Sequence, residues 1–144
     1  MTQTRSESNA FEQVASTRRL AELCDEARAS GRIALDTEFL WEKSYAPVIC
    51  LAQLNVDGQV AIADPLEGVD LAPLAELVVD PEVQVLMHAP HADLVAFALR
   101  HDSLPANIFD TQLAAGFIGL SAGLSYERLV AEVLGVRVQP SESF

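Results

Sequence analysis

The stretch Ile33-Ala-Leu-Asp-Thr-Glu-Phe39 is a short apolar run broken by two acids. After a loop comes Pro47-Val-Ile-Cys-Leu-Ala-Gln-Leu-Asn-Val-Asp-Gly-Gln-Val-Ala-Ile-Ala63. The first run reads as a strand. Pro47 to Val56 is rich in β-formers, and Asp57-Gly58 between two such runs is a strong hairpin signal, so Gln59 to Ala63 pairs back antiparallel. The three runs make a meander. Strand side chains alternate between faces, which puts Asp36 and Glu38 on one side and Ile33, Leu35, Thr37 and Phe39 on the other.

Upstream, Leu20, Leu23, Cys24 and Ala27 fall at helical spacing and Gly31 stops the helix, while residues 1–15 read as a flexible N-terminal arm. Downstream, Pro65 and Gly68 end the meander. Asp70 is placed to cap a helix through Leu71, Leu74, Leu77 and Val78, which Asp80-Pro81 ends. Val83 to Met87 reads as a buried strand, and His91 to Arg100 as a helix with Leu94, Phe97 and Ala98 as its apolar stripe. Asn107 to Phe109 forms a further short strand. Thr111 to Ile118 and Ser125 to Leu134 are helices, the second capped by Ser125 and stopped by Gly135. A meander leading into βα units predicts an α/β mixed sheet with helices on its faces. No Gly-x-Gly-x-x-Gly turn follows the first strand, which argues against a doubly wound nucleotide-binding sheet.

The chain has 144 residues, of which 50% are hydrophobic, enough for one domain with a real core. No apolar run is long enough to cross a membrane, and residues 1–15 carry no secretory pattern, so the expected location is cytoplasmic. The two cysteines, Cys24 and Cys50, lack metal-like spacing and read as reduced core thiols. The net charge of −12 argues against a basic nucleic-acid-binding surface. It leaves room for nucleic-acid chemistry in which divalent cations supply the positive charge.

Two carboxylates side by side repel each other, and a divalent cation removes the conflict; hard oxygen ligands suit Mg²⁺ or Mn²⁺. The plainer reading of Asp36 and Glu38 is a solvated strand end. Asp93, near the start of the His91–Arg100 helix, likewise has two readings: an acid favoured by the helix dipole, or a third carboxylate aimed at the same cation site. Spacing does not choose between them.

Five segments bear on the choice: Ile33 to Phe39, Ile49-Cys-Leu-Ala-Gln-Leu54, Ile62-Ala-Asp-Pro-Leu66, Met87-His-Ala-Pro-His-Ala-Asp-Leu94 and Phe109-Asp-Thr-Gln-Leu-Ala-Ala115. In this order they resemble the exonuclease domain of ribonuclease D-like 3′–5′ exonucleases, of the DEDD superfamily. The likeness extends to Pro140-Ser-Glu-Ser143 and so covers nearly everything after the arm. It implies a ribonuclease H-like fold, with residues 16–144 as a partial, C-terminally incomplete exonuclease domain. It also implies hydrolysis of RNA 3′ ends, with tRNA processing by family analogy and DNA as the other possible substrate. Two divalent cations, Mg²⁺ or Mn²⁺, would be held about 3.5–4 Å apart. Asp36 would bridge them, Glu38 would bind the nucleophile-side ion, and Asp93 the other ion, directly or through water.

Two departures follow from the same resemblance. The family's fourth acid lies in a Tyr-x-x-x-Asp motif after the Ser-Glu-Ser segment, and these 144 residues contain no such motif; Tyr126 is followed by Val130 four residues on. The chain is therefore expected to be inactive or nearly so by itself. The alternative is a catalytically incomplete domain that binds metal or nucleic acid without cutting. An incomplete domain should also expose apolar surface, which predicts a homo-oligomer or a swapped assembly. Phe39, Trp41 and Tyr45 are candidates for stacking on a terminal base, with core packing the competing role for Phe39. His88 is a candidate for substrate contact or for a local structural role. His91 and His101 read as surface residues, and Asp110 as a helix cap.

Overall fold

The computed structural model describes residues 11–41 and 46–138. Its frame is a six-stranded sheet in the order β1-β4-β3-β2-β5-β6. The meander β2 (Arg32–Leu40), β3 (Val48–Val56) and β4 (Gln59–Ala63) is antiparallel. Asp57 (φ 47°) and Gly58 (φ 91°) turn the β3–β4 hairpin in the left-handed region, and Asn55 Oδ1 accepts from the Gly58 amide at 2.9 Å. β5 (Gln84–Met87) then pairs parallel to β2, and β6 (Ile108–Asp110) parallel to β5. The mixed α/β sheet expected from the sequence is the one that forms.

The helices begin and end where their punctuation residues stand. α1 (Thr17–Ser30) is capped by Ser16, whose Oγ accepts from the Arg19 amide at 3.2 Å, and it ends at the left-handed Gly31. Its stripe Leu20, Leu23, Cys24 and Ala27 is buried. α2 (Ala72–Val78) buries Leu74, Ala75, Leu77 and Val78. Asp70 sits one residue before the N-cap, Leu71, and accepts from the Ala72 amide at 2.9 Å. α3 (His91–His101) adds Ala96 and Phe97 to the same core. Each large apolar side chain buried there contributes about 1.5–3 kcal/mol relative to exposure. α4 (Thr111–Phe117) and α5 (Tyr126–Leu134) follow, capped by Asp110 and Ser125 as expected.

Ile33 and Leu35 of β2 belong to the core that α1, α2 and α3 cover. The alternate residues Ala34, Asp36 and Glu38 are exposed on the opposite face.

One expectation is corrected at the N-terminus. Glu12–Val14, assigned to a flexible arm, is the edge strand β1, parallel to β4 in the register Glu12↔Ala61 to Val14↔Ala63. The Glu12 carboxylate holds it there, accepting from Arg19 Nε (2.7 Å), Arg19 Nη2 (3.0 Å) and Gln59 Nε2 (2.6 Å). The Arg19 hydrogen bond keeps that carboxyl below its usual range. The rest of the arm, residues 1–10, lies outside the described residues.

Candidate active site

The site is built at the far end of β2, where the sheet is incomplete. β5 pairs with β2 only over Arg32 to Ala34. Beyond Met87 the chain leaves the sheet through His88, Ala89 and Pro90 and enters α3, so among the described residues the β2 edge past Ala34 has no strand beside it on that side. Ala89 is left-handed (φ 51°), a conformation that costs a residue with a Cβ about 1–2 kcal/mol. Its amide is held by Asp110 Oδ1 at 3.1 Å. That turn delivers Asp93, the third residue of α3, to the open edge.

Asp93 is 8% exposed, and Thr37, between the two acids of β2, is 6% exposed. The Thr37 amide donates to Asp93 Oδ1 at 3.2 Å and the Thr37 hydroxyl donates to the same oxygen at 2.5 Å. Asp36 and Glu38 share the other face of the strand, Asp36 opposite Gln53 and Glu38 opposite Leu51 on β3. The structure thus joins Asp36 and Glu38 on one face, as their spacing requires, and secures Asp93 to the residue between them. Among the described residues no three His, Cys, Asp or Glu side chains close into a ready cation cage.

The acids nevertheless feel one another. Asp36 keeps contact with solvent, but partial desolvation by the surrounding protein raises its pKa above the ordinary carboxylate range. The charges of Asp93 and then Glu38 raise it further, while the Thr37 backbone and His88 work against the shift. Such crowding of like charge is what a divalent cation would relieve, and the donors are hard oxygens that suit Mg²⁺ or Mn²⁺. The residues present fit that class of ion.

The family model for 3′–5′ exonuclease matches residues 11–143. The chain belongs to the 3′–5′ exonuclease family. The ribonuclease D of Acidiphilium cryptum is 39% identical over 132 residues, which cover 91% of this chain and 34% of that protein. The crystal structure of Escherichia coli RNase D, described as an exoribonuclease involved in structured RNA processing, superposes with a TM-score of 0.81 at 34% identity, over 90% of this chain and 34% of that one. This likeness gives the exonuclease chain the ribonuclease H-like fold that the resemblance implied. A Trypanosoma brucei RNase D in complex with RNA U12 shares the fold, with a TM-score of 0.76 at 20% identity over 89% of this chain and 48% of that one. The chain spans about a third of the length of the ribonuclease D relatives it matches (34%).

The remaining candidates of this exonuclease domain divide clearly. The register of β2 against β3 shifts between Glu38 and Phe39, which leaves Cys50 of β3 as the extra residue at the step. Phe39 is partly buried against the core, and its ring meets Trp41 edge-on (centroids 6.4 Å, 83°). Trp41 itself is 58% exposed. Tyr45 lies outside the described residues. His88 has both ring nitrogens engaged: Nδ1 with Thr111 Oγ1 at 2.9 Å and Nε2 with the Leu124 carbonyl at 3.1 Å. Since a carbonyl only accepts, Nε2 carries a proton and donates. The ring also meets Tyr126 edge-on at 5.7 Å, so His88 braces β5 against α4 and the α4–α5 turn. His91 is exposed, but His101 is half-buried against Phe97, and burial lowers its pKa.

Two residues escaped the sequence reading. Thr37 was assigned to the apolar face. The available signal was a hydroxyl among Ile33 and Leu35, since a buried polar group needs a partner. Arg100, at the end of α3, donates through Nε to the Pro47 carbonyl and through Nη2 to Ala46 at 3.1 Å, fastening the β2–β3 loop to the helix that carries Asp93. Nothing in the local sequence marks that bond.

Proposed function

We propose that this chain carries the metal-binding part of a cytoplasmic 3′–5′ exoribonuclease of the ribonuclease D type, with RNA 3′ ends as substrate. Membership of the 3′–5′ exonuclease family and the three acids gathered around the end of β2 support this reading. The observation that carries it is the double hydrogen bond from Thr37 to Asp93, which brings the helix acid to the strand segment that bears Asp36 and Glu38. Asp36, Glu38 and Asp93 would hold two divalent cations, Mg²⁺ or Mn²⁺. When bound, such ions lower the pKa of a coordinated water and offset the charge developing on the leaving oxygen. Asp36 and Glu38 present their carboxylates on the uncovered face of the sheet, and Asp93 is steadied by Thr37. Trp41, exposed three residues after Glu38, offers a ring for the terminal base. His88 is assigned to bracing, because both of its nitrogens are occupied. Among the described residues no helix is long and apolar enough to cross a membrane.

A second reading is favoured by one observation: the 144 residues hold three of the four acids that the resemblance implies, with no Tyr-x-x-x-Asp. By this reading the chain alone binds cations and RNA ends without cutting, since loss of one stabiliser of transition-state charge costs about 10²–10³ in rate. The test is a nuclease assay on 3′-labelled RNA and DNA with Mg²⁺ or Mn²⁺. Shortening from the 3′ end that Asp36→Ala abolishes supports the first reading. Asp36-dependent Mn²⁺ binding without shortening supports the second, and no Mn²⁺ binding defeats both. Self-association through the apolar surface of α4 and α5 belongs to the same proposal, and light scattering at high concentration reads it.

A further inference from the structure

The bond between β2 and α3 has a role beyond packing, and this inference rests on the cation-site reading above. Three observations point the same way. Thr37 is the polar residue on the buried face of β2, and its hydroxyl spends its one proton on Asp93 Oδ1. Its amide, on the edge where β5 has ended, goes to the same oxygen and not to a strand. Both hydrogen bonds therefore use Oδ1, and neither uses Oδ2. A carboxylate gripped twice through one oxygen has its rotation fixed, with its other oxygen kept for something else.

We propose that Thr37 is the positioning residue for Asp93, holding Oδ1 so that Oδ2 serves as the single cation ligand from α3. Thr37 touches neither the cation nor the substrate; it acts through Asp93. The arrangement also couples the two halves of the acid set mechanically. Asp36 and Glu38 flank Thr37 in sequence, so the strand residue that anchors Asp93 lies between the two acids that share the other face. A shift of α3 along β2 would have to break the Thr37 bonds before it changed the spacing of the acids. Pro90 at the N-cap of α3 and the Arg100 clamp at its other end restrain the helix at both termini.

The test is a Mn²⁺ titration by calorimetry of the 144-residue chain and its variants, beside thermal unfolding in chelator. Thr37→Val keeps the shape and removes the hydroxyl, whereas Thr37→Ser keeps the hydroxyl. Partners that orient a metal ligand are worth about 10–100-fold in affinity, so Thr37→Val should weaken Mn²⁺ binding at least about 10-fold, while Thr37→Ser should stay within about threefold of wild type. In an Asp93→Asn background, Thr37→Val should add no further loss. If Thr37→Val fails to fold, Thr37→Ala, which also lacks the hydroxyl, replaces it. A purely structural Thr37 would lower the melting temperature in chelator and leave the affinity unchanged; that result overturns the proposal. So does an equal loss with and without the Asp93 carboxylate. If wild type binds no Mn²⁺, or binds it regardless of Asp36→Ala, the cation site itself fails and the positioning role falls with it.

Discussion

Helices α1 and α5 carry the same punctuation and meet different fates. Each has a serine N-cap accepting from the amide three residues on, and each ends at a left-handed glycine, Gly31 or Gly135. α1 buries four side chains under the sheet; α5 buries none. The contrast extends to the regions around them. The core cluster runs from Val14 to Phe97, and beyond it only Ala115 and Leu124 are buried among the described residues. Phe117 and Ile118 are 91% and 73% exposed. Caps decide where a helix starts and stops, but most helical stability in a protein comes from packing an apolar face. By that measure α1 is part of the fold's foundation, and α5 is held by its ends and by its neighbour α4.

The largest test of this contrast is a pair of matched truncations read by urea unfolding. Leu23→Ala, in the buried stripe of α1, should cost about 2–5 kcal/mol. Leu134→Ala, on the exposed end of α5, should stay within about 0.5 kcal/mol. A cost above that at Leu134 would mean that something covers α5 in solution, and the comparison would break.

A smaller effect is expected at the brace between the two regions. His88→Phe keeps a ring against Tyr126 but removes the bonds to Thr111 and Leu124. The loss should be about 1–2 kcal/mol, confined to α4 and α5. Hydrogen exchange should show their amides opening faster while those of α1 and β2 stay unchanged; uniform acceleration would show that the C-terminal region unfolds only with the whole.

The smallest effect is at Asp36. Its pKa is raised in the fold, so the folded state holds the proton more tightly than the unfolded chain does. Stability therefore falls as pH climbs from the ordinary carboxylate range through the raised value, and the deficit persists at neutral pH. Asp36→Asn in chelator should raise the melting temperature at pH 7 by about 1–3 °C, a modest figure because water still reaches the carboxylate. At pH 3 the gain should vanish. A gain that is the same at both pH values would place its cause outside the carboxylate charge.

What was legible in the sequence follows the range of the interactions involved. The meander, the Asp57-Gly58 hairpin and the Ser16, Asp110 and Ser125 caps all depend on neighbours within a few residues, and the structure has them where the sequence puts them. So does the shared face of Asp36 and Glu38, which strand geometry dictates. β1 was missed because three residues with one buried Val14 give no pattern. Its place depends on a parallel partner, β4, and on the distant Gln59. The Thr37–Asp93 link spans 56 positions, and the His88 bonds span 23 and 36. Those contacts exist only once the sheet has brought the segments together. The five ordered segments pointed to the right family all the same, because motif order records what local physics cannot.

The sheet has one more property, which lies in its borders. Its outermost strands, β1 and β6, are three residues each, while the inner β2 and β3 run to nine. A foreign strand seeking a template finds only three residues at either margin, and at β1 it also meets an ion-paired Glu12. The longer open backbone is the β2 edge past Ala34, where the Thr37 amide is already taken by Asp93. Short borders limit cross-β stacking at the margins of the sheet, even though helices α4 and α5 leave so much apolar surface in view.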